Sequence, residues 1–456
     1  MRAQNFFIRK RRTGGKRTLI AYLKDDDGRI VWNHSEKEGI LEHHFIGILG
    51  SRSDRSSLLD WERLQLPVLD DPDMDRPFTV EEIKNTIKEM PSEKAPGPDG
   101  FNGTFYKVCW PIIMDDLMAA VHSFYQLRAG PLEHLNAAYI VLIPKDVVCE
   151  SAKDFRPISL INSFAKLITK MLAIRLSAHI DKLISKAQSA FIRGRCIQDN
   201  FMYVRNLARA YHRTKTPALL FKLDISKAFD TVSWEYLLEL LQQRGFSHRW
   251  REWLSLLFKS SHSSVMLNGR PGNRISHARG LRQGDPLSPY LFIIAIDTLQ
   301  RILDTATEDG VLSPLRGRYA NLRLSLYADD AVIFLNPVAE EVTALFGILE
   351  HFGNATGLRL NMAKCIVAPI RCTGLDLNAT LRSFHGQWVS FPIKYLGLPL
   401  SMGRLKLVHV QSQHTCYRQS KSPNNLLKTW TGYADVFYGQ LMVRYQEGNA
   451  RSHGLT

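Results

Sequence analysis

Two adjacent carboxylates, Asp329 and Asp330, are the residues of this sequence best placed to do chemistry. Leucines alternate with other residues over 322–326, and a run of apolar residues at 332–335 follows the acids. This pattern predicts a β-hairpin with the two acids at its turn. Carboxylates held on a rigid turn suit a hard divalent cation, because such ions prefer oxygen ligands.

A third acid, Asp224, lies upstream within residues 221–230. Phe221, Leu223 and Ile225 would share one face of a strand, so Asp224 would project from the other face. Beside the hairpin pair, it would complete a cluster able to hold two metal ions about 4 Å apart. Such a cluster suits nucleotidyl transfer, in which a hydroxyl is activated and the charge on the leaving pyrophosphate is neutralised.

Both acidic segments resemble motifs of the reverse transcriptases of non-LTR (LINE-type) retrotransposons. Residues 221–230 resemble motif A, residues 327–330 resemble motif C, and residues 279–289 (RGLRQGDPLSP) resemble motif B. Further segments are similar to the remaining motifs in the same order: KAPGPDG at 94–100, DFRPISL at 154–160, QSAF at 188–191, GLRLNMAK at 357–364 and YLGLPL at 395–400. The resemblance covers roughly residues 80–400, and an ordered series of motifs is far more specific than any single one. The sequence looks like a copy of the kind abundant in plant genomes.

The resemblance implies an α+β, right-hand polymerase fold with palm and fingers subdomains and an incomplete or degenerate thumb. We expect a basic N-terminal extension and linker at 1–78, the reverse transcriptase domain at 79–400 and a thumb remnant at 401–456. Periodicity independently predicts alternating helices and strands. The predicted helices are 79–90, 157–176, 231–243, 248–258 and 289–306, and the predicted strands are 139–143, 219–225, 263–267 and 322–335.

The family resemblance implies that Asp224, Asp329 and Asp330 are the catalytic residues. They would bind two Mg²⁺ ions, with Mn²⁺ as an alternative. Lys364 matches a lysine proposed as the general acid that protonates pyrophosphate. Asp230 is expected to cap the helix that follows it rather than to bind metal.

Nucleotide binding is assigned to five residues. Phe229 would block the 2′-hydroxyl of the incoming nucleotide and so select dNTPs, and Arg156 would clamp the triphosphate with assistance from Lys145. Gln283 and Gly284 would lie beside the nascent base pair. Each residue also has an ordinary structural explanation, such as a core position for Phe229 or a surface position for Lys145.

The segment Tyr395, Leu396 and Gly397 would form the hairpin that grips the primer terminus. The resemblance therefore implies an RNA-directed DNA polymerase whose partners are an RNA template, a DNA primer and dNTPs. This mechanism places the protein in the nucleus, with the cytoplasm as the alternative.

Composition agrees with a nucleic-acid partner. The 456 residues carry a net charge of +15, and residues 1–18 hold seven Lys or Arg and no acid. No apolar stretch is long enough to span a bilayer, so no membrane partner is expected. The six cysteines lack paired short spacing, which predicts free thiols rather than disulfides or a zinc site.

Two departures from the family leave alternatives open. Nothing resembles an endonuclease, so an endonuclease, if needed, is expected from another polypeptide. The match fades after about residue 410, which suggests a truncated or frame-shifted copy. The alternatives are an inactive relic that only binds nucleic acid and a polymerase of the group II intron maturase type. An RNA-dependent RNA polymerase is disfavoured because Phe229 stands where a ribose-accepting polar residue is expected.

Overall fold

The computed structural model describes residues 19–52, 55–128, 132–317, 320 and 322–403. Almost all of these residues belong to one compact unit, Met1–Met402, and only Gly403 of a second unit, Gly403–Thr456, is described. The predicted basic tail at 1–18 and nearly all of the predicted thumb remnant lie outside the described residues.

Helices and strands alternate along the described chain, which confirms the α+β prediction. The strands are β1 (Leu23–Lys24), β2 (Ile30–Val31), β3 (Ala137–Pro144), β4 (Phe155–Ile161), β5 (Ala218–Leu223), β6 (His262–Leu267), β7 (Arg270–Ser276), β8 (Leu324–Tyr327), β9 (Asp330–Leu335), β10 (Ile366–Ile370), β11 (Gln387–Trp388), β12 (Ile393–Tyr395) and β13 (Leu398–Leu400). The α-helices are α1 (His34–Phe45), α2 (Trp61–Leu64), α3 (Val80–Glu89), α4 (Gly103–Tyr125), α5 (Leu132–Leu135), α6 (Ser163–Ser177), α7 (Ile180–Leu183), α8 (Ile197–Thr214), α9 (Ala228–Thr231), α10 (Trp234–Gln243), α11 (His248–Lys259), α12 (Ser288–Glu308), α13 (Ala339–Thr356) and α14 (Leu377–Thr380). A π-helical turn (Ile46–Gly50) and two 3₁₀ turns (Ala152–Asp154 and Met362–Lys364) complete the series.

The central sheet has the order β11-β10-β5-β9-β8, with β5 antiparallel to both of its neighbours. Strand β5 is apolar on both faces, which explains its central position. Leu219 and Phe221 pack towards a large core formed with α10, α12 and α13, whereas Leu220 packs towards a smaller core with α8. Helices on both faces therefore hold β5, which Asp224 follows, and β9, which begins at Asp330.

A second sheet has the order β4-β3-β6-β7, with β3 and β6 parallel. The predicted helix beginning at Pro157 is wrong, because Pro157 lies within β4 and helix α6 begins only at Ser163. Strand β4 is an edge strand, and the Ser159 N–H points away from β3 to donate to the Gln283 carbonyl at 2.8 Å. The Pro157 nitrogen faces the same way, so the missing N–H costs no hydrogen bond to β3.

Local signals placed several helix starts correctly. Thr79 caps α3, since its hydroxyl accepts from the Glu82 N–H at 3.2 Å. The helix predicted from Thr231, however, begins at Trp234, because Ser233 supplies the cap by accepting from the Tyr236 N–H. The expected capping role of Asp230 is therefore wrong.

Residues upstream of the predicted domain pack against the second sheet. Phe45 and Ile48 lie in an apolar cluster with Val265 and Ile275. Arg279 donates to the Ile48 carbonyl at 2.7 Å, which ties the π-helical turn to the start of motif B. The described part of the predicted extension is thus folded onto the domain rather than separate from it.

Within the described residues, no helix is both long and apolar enough to cross a membrane. The five described cysteines are free thiols.

Candidate active site

The hairpin β8–β9 presents Asp329 and Asp330, as the sequence predicted. Tyr327 pairs with Asp330, which leaves Ala328 and Asp329 as a two-residue turn. The φ angle of Ala328 is +53°, a left-handed conformation that is uncommon for a residue with a side chain. The turn therefore needs support from outside the hairpin.

Gln188 provides that support. Its fully buried side chain accepts from the Ala328 N–H at 3.0 Å and donates to the Ala328 carbonyl at 3.3 Å. Neighbouring contacts extend the bracing along β8, since the Leu326 N–H donates to Ala187 at 2.8 Å and the Ser189 N–H donates to Leu326 at 3.2 Å. The pattern QSAF at 188–191 does not by itself indicate this role for Gln188. A buried glutamine beside an active-site turn is visible only once the two segments are brought together.

Asp224 lies at the end of β5, next to the hairpin. Leu223 pairs with Ala331, so one residue further along the antiparallel register places Asp224 opposite Asp330. The Asp224 backbone is held from the β10 side, because its carbonyl accepts from the Asn361 N–H at 2.8 Å. Its N–H lies 3.4 Å from the Cys365 sulfur. The fold thus brings the three predicted aspartates to one end of neighbouring strands.

The charges of the three carboxylates act on one another. Burial raises the pKa of Asp329, and the charges of Asp330 and Asp224 raise it further, against a backbone hydrogen bond that lowers it. Burial also raises the pKa of Asp330, as does the charge of Asp224. The Lys222 ammonium, 3.8 Å from the Asp330 carboxylate, opposes that rise. Carboxylates that repel one another in a half-buried setting favour a cation between them.

The donor chemistry fits Mg²⁺ or Mn²⁺, which prefer oxygen ligands. Among the residues that the structure describes, however, no group of three His, Cys, Asp or Glu side chains converges closely enough to hold a metal ion. In this arrangement the Asp330 carboxylate lies near Lys222 instead. Ligation by all three aspartates would require their side chains to turn towards a shared ion.

The predicted sugar gate, Phe229, lies in the short helix α9, five residues after Asp224 in the chain. Phe229 is half-buried, and its ring stacks on Phe292 with centroids 4.3 Å apart. One face of Phe229 is therefore fixed by the core, as the structural explanation expects, and its role as a sugar gate stays a prediction. The next residue, Asp230, is buried and accepts from the Gln283 amide nitrogen at 3.2 Å.

Backbone hydrogen bonds join motif B to motif A and to the residues that follow it. The Leu281 N–H donates to the Phe229 carbonyl at 2.7 Å, and the Gly280 N–H donates to Val232 at 2.9 Å. A side chain at Gly284 would have its Cβ 2.7 Å from the Ser159 carbonyl oxygen, and the φ angle there is +114°. Glycine is therefore required at 284 by the turn and by the close approach of β4.

The three basic side chains predicted to act at the site, Lys145, Arg156 and Lys364, lie in different parts of the fold. Lys145 is exposed and donates to the Lys153 carbonyl at 2.5 Å, and its charge acts on Asp230. Arg156 is exposed on β4 opposite Ile143. Lys364 is exposed in a 3₁₀ turn that begins beside the contact between Asn361 and Asp224. Within the described ranges, no ion pair joins Arg156 or Lys364 to the three aspartates.

The predicted primer grip is the hairpin β12–β13. The Tyr395 ring is fully buried, and its hydroxyl lies 3.3 Å from the Ser325 hydroxyl of β8. Burial raises the pKa of Tyr395. Leu396 and Gly397 form the turn, with φ angles of +46° and +80°. Tyr395 therefore supports the hairpin from the core, and Gly397 is the exposed part of the segment.

The family profile described as reverse transcriptase (RNA-dependent DNA polymerase) matches residues 143–400, which is more than half of the chain. This range includes the three aspartates, Phe229 and the primer-grip hairpin.

Curated relatives agree with the profile. The chain is 29% identical over 340 residues to the transposon TX1 uncharacterized 149 kDa protein of Xenopus laevis, covering 74% of this chain and 26% of the relative. It is 30% identical over 292 residues to the Pol polyprotein of the type-2 retrotransposable element R2DM of Drosophila melanogaster, covering 62% and 26%. It is 24% identical over 356 residues to the RNA-directed DNA polymerase from the mobile element jockey of Drosophila melanogaster, covering 75% and 37%. The chain spans about a quarter of the length of the first two of these relatives.

Proposed function

The chain belongs to the reverse transcriptase (RNA-dependent DNA polymerase) family, and we propose that it extends a DNA primer on an RNA template. Its relatives are proteins of non-LTR retrotransposons, which confirms the group predicted from the motifs. The single observation that best supports this activity is the register of β5 and β9. Leu223 pairs with Ala331, so the next residues along, Asp224 and Asp330, lie opposite each other at the hairpin turn.

We assign the subdomains by their relation to this site. The central sheet with α8, α10, α12 and α13 would be the palm, because it carries the aspartates on β5 and the β8–β9 hairpin. The sheet β4-β3-β6-β7 with α3, α4 and α6 would be the fingers, because it carries Lys145 and Arg156. The thumb is proposed to follow β13.

Asp224, Asp329 and Asp330 would hold two divalent cations, Mg²⁺ or Mn²⁺. Once bound, these ions would supply Lewis-acid activation of the primer 3′-hydroxyl and neutralise the phosphate charge. The fold itself provides positioning, which is the main requirement of phosphoryl transfer. Gln188 fixes the backbone of the turn before Asp329, and the Asn361 N–H fixes the backbone of Asp224.

The remaining roles belong to side chains around this centre. Phe229, backed by Phe292, would present a rigid ring edge to the sugar and exclude a 2′-hydroxyl. Lys145 and Arg156 are exposed cations that would attract the triphosphate, and Gln283 with Gly284 would face the nucleotide. Lys364 would protonate the leaving pyrophosphate, and the turn at Leu396 and Gly397 would contact the primer.

The partners follow from this reaction. An RNA template, a DNA primer and dNTPs are the proposed ligands, and the net charge of +15 suits a polyphosphate partner. We propose nuclear action, because retrotransposon relatives imply chromosomal DNA as the destination of the product.

Primer extension tests the reaction class. The purified chain is given a DNA primer on an RNA template with Mg²⁺ and one labelled dNTP, and an EDTA-treated sample serves as the control. The proposal predicts RNA-templated addition of the complementary dNTP that EDTA abolishes. Folded protein that binds the primed template and adds no nucleotide would contradict it.

A further inference from the structure

Asp230 and Gln283 form a polar pair that joins motif A to motif B. The Asp230 side chain is only 8% exposed, and it accepts a hydrogen bond from the Gln283 amide nitrogen at 3.2 Å. The backbones also touch closely, since a Cβ at Gly280 would lie 2.5 Å from the Asp230 carbonyl oxygen. Motif B cannot shift at this point without moving Asp230.

The pair fixes which way the Gln283 amide points. An ionised carboxylate can only accept hydrogen bonds, so Asp230 selects the NH₂ end of the amide. The main chain of Gln283 is held separately, because its carbonyl accepts from the Ser159 N–H at 2.8 Å. With both ends held, the Gln283 carbonyl oxygen, Oε1, is directed away from Asp230.

The Gln283 Oε1 is open to a ligand. Over the described stretches of chain, no hydrogen bond to this atom is formed, and it is not among the buried polar atoms that lack a partner. It is therefore accessible on a half-buried side chain. An accessible carbonyl oxygen held in one orientation recognises a hydrogen-bond donor and disfavours a phosphate, which offers only acceptors.

We propose that Asp230 is a positioning residue that holds the Gln283 amide with its carbonyl towards the incoming nucleotide. The recognised group would be a donor on the sugar or base, not the triphosphate. This inference deepens the proposed function and rests on it. Burial raises the pKa of Asp230 to about 6, opposed by the Gln283 hydrogen bond and by the charges of Lys227 and Lys145. At pH 8 Asp230 is therefore mainly the carboxylate that accepts from the Gln283 amide.

A double-mutant cycle tests the coupling. The full chain is compared with Asp230→Ala, Gln283→Ala and the double variant in steady-state dNTP incorporation at pH 8. Loss of a charge-assisted hydrogen bond predicts that Asp230→Ala raises the KM for dNTP about tenfold, with kcat changed by less than about twofold. Because Asp230 acts through Gln283, the double variant should match Gln283→Ala alone.

Matched variants separate positioning from folding. Asp230→Asn keeps a carbonyl that can accept from Gln283, so its KM should return towards that of the natural chain. Asp199→Ala removes an exposed acid on α8 and should leave KM unchanged. Additive effects in the double variant, or an unchanged KM in Asp230→Ala, would overturn the inference while leaving the proposed function intact. A natural chain that incorporates nothing would overturn both.

Discussion

The side-chain amide of Gln188 binds both backbone polar groups of Ala328, accepting at 3.0 Å and donating at 3.3 Å. Ala328 has a φ angle of +53°, and left-handed residues with side chains cost about 1–3 kcal/mol unless their surroundings enforce the conformation. Gln188 therefore holds the turn that precedes the predicted catalytic residues Asp329 and Asp330.

Replacing Gln188 tests this role. In Gln188→Ala the Ala328 N–H and carbonyl lose buried partners, so the free energy of unfolding should fall by about 2–4 kcal/mol. The rate of primer extension should fall by more than the fraction of unfolded protein explains, because the turn carrying Asp329 would lose its fixed conformation. Urea unfolding measures the first effect. Single-turnover primer extension, at urea concentrations below the unfolding transition, measures the second.

The control is Gln198→Ala, an exposed glutamine on α8. It should leave both measurements unchanged. A Gln188→Ala protein with normal stability and extension would show that the hairpin holds its turn unaided.

Asp329 makes stability depend on pH and on metal. Its pKa is raised in the folded protein, chiefly by burial, so the fold favours the protonated acid. The contribution to stability is complete below the ordinary aspartate pKa and is lost as pH rises through the raised value. Asp329→Asn should therefore raise the Tm of metal-free protein at pH 7.5 and flatten the dependence of Tm on pH between 4 and 7.5.

Metal linkage gives the complementary measurement. Mg²⁺ bound to the folded state should raise the Tm of the natural chain and not that of Asp329→Asn. Asp199→Asn, which changes an exposed acid, should behave like the natural chain. Equal Mg²⁺ shifts in all three proteins would argue against ligation by Asp329.

Phe229 should control the choice of sugar. Its ring is fixed against Phe292 at 4.3 Å, so Phe229→Ala opens space without removing a catalytic group. The ratio of kcat/KM for dNTP over rNTP should fall about tenfold or more, mainly because rNTP incorporation rises. Phe191→Ala, at an aromatic residue that is 48% exposed, is the control. Unchanged selectivity in Phe229→Ala would return this residue to a purely structural role.

Arg175 should be a major determinant of stability outside the site. It pairs with Glu82 through two contacts of 2.7 Å and also donates to the Met74 carbonyl at 3.0 Å. Arg175→Met removes the donor to a part-buried carboxylate and to the Met74 and Arg76 carbonyls, which should cost about 3–5 kcal/mol.

Lys170→Met, on the same helix, is the matched control, because the Lys170–Glu89 pair, 3.0 Å apart, is much less buried than the Arg175–Glu82 pair. Its cost should stay below about 1 kcal/mol. Similar costs for the two variants in urea unfolding would show that burial of the Arg175 pair adds nothing.

Local patterns in the sequence were sufficient to predict the strands that carry the paired aspartates. Alternating leucines and paired acids predicted the β8–β9 hairpin, and Thr79 predicted the start of α3. The helix predicted to begin at Pro157 was wrong, because proline is tolerated both in the first turn of a helix and on an edge strand. Only the pairing of β4 with β3 distinguishes them.

Side-chain roles that depend on distant segments could not be predicted. Tyr395 belongs to a matching motif, yet its ring is buried beneath β8. Asp230 precedes a helix, yet Ser233 caps that helix and Asp230 binds Gln283. Each outcome depends on tertiary contacts between residues far apart in the chain.

The most direct test of the central claim is Mg²⁺-dependent primer extension on an RNA template by the natural chain and by Asp224→Asn. The register that sets Asp224 opposite Asp330 predicts extension by the natural chain and a loss of at least about a thousandfold in Asp224→Asn, with template binding retained. Asp199→Asn should extend normally. Extension that persists in Asp224→Asn would contradict a catalytic centre built from these three aspartates.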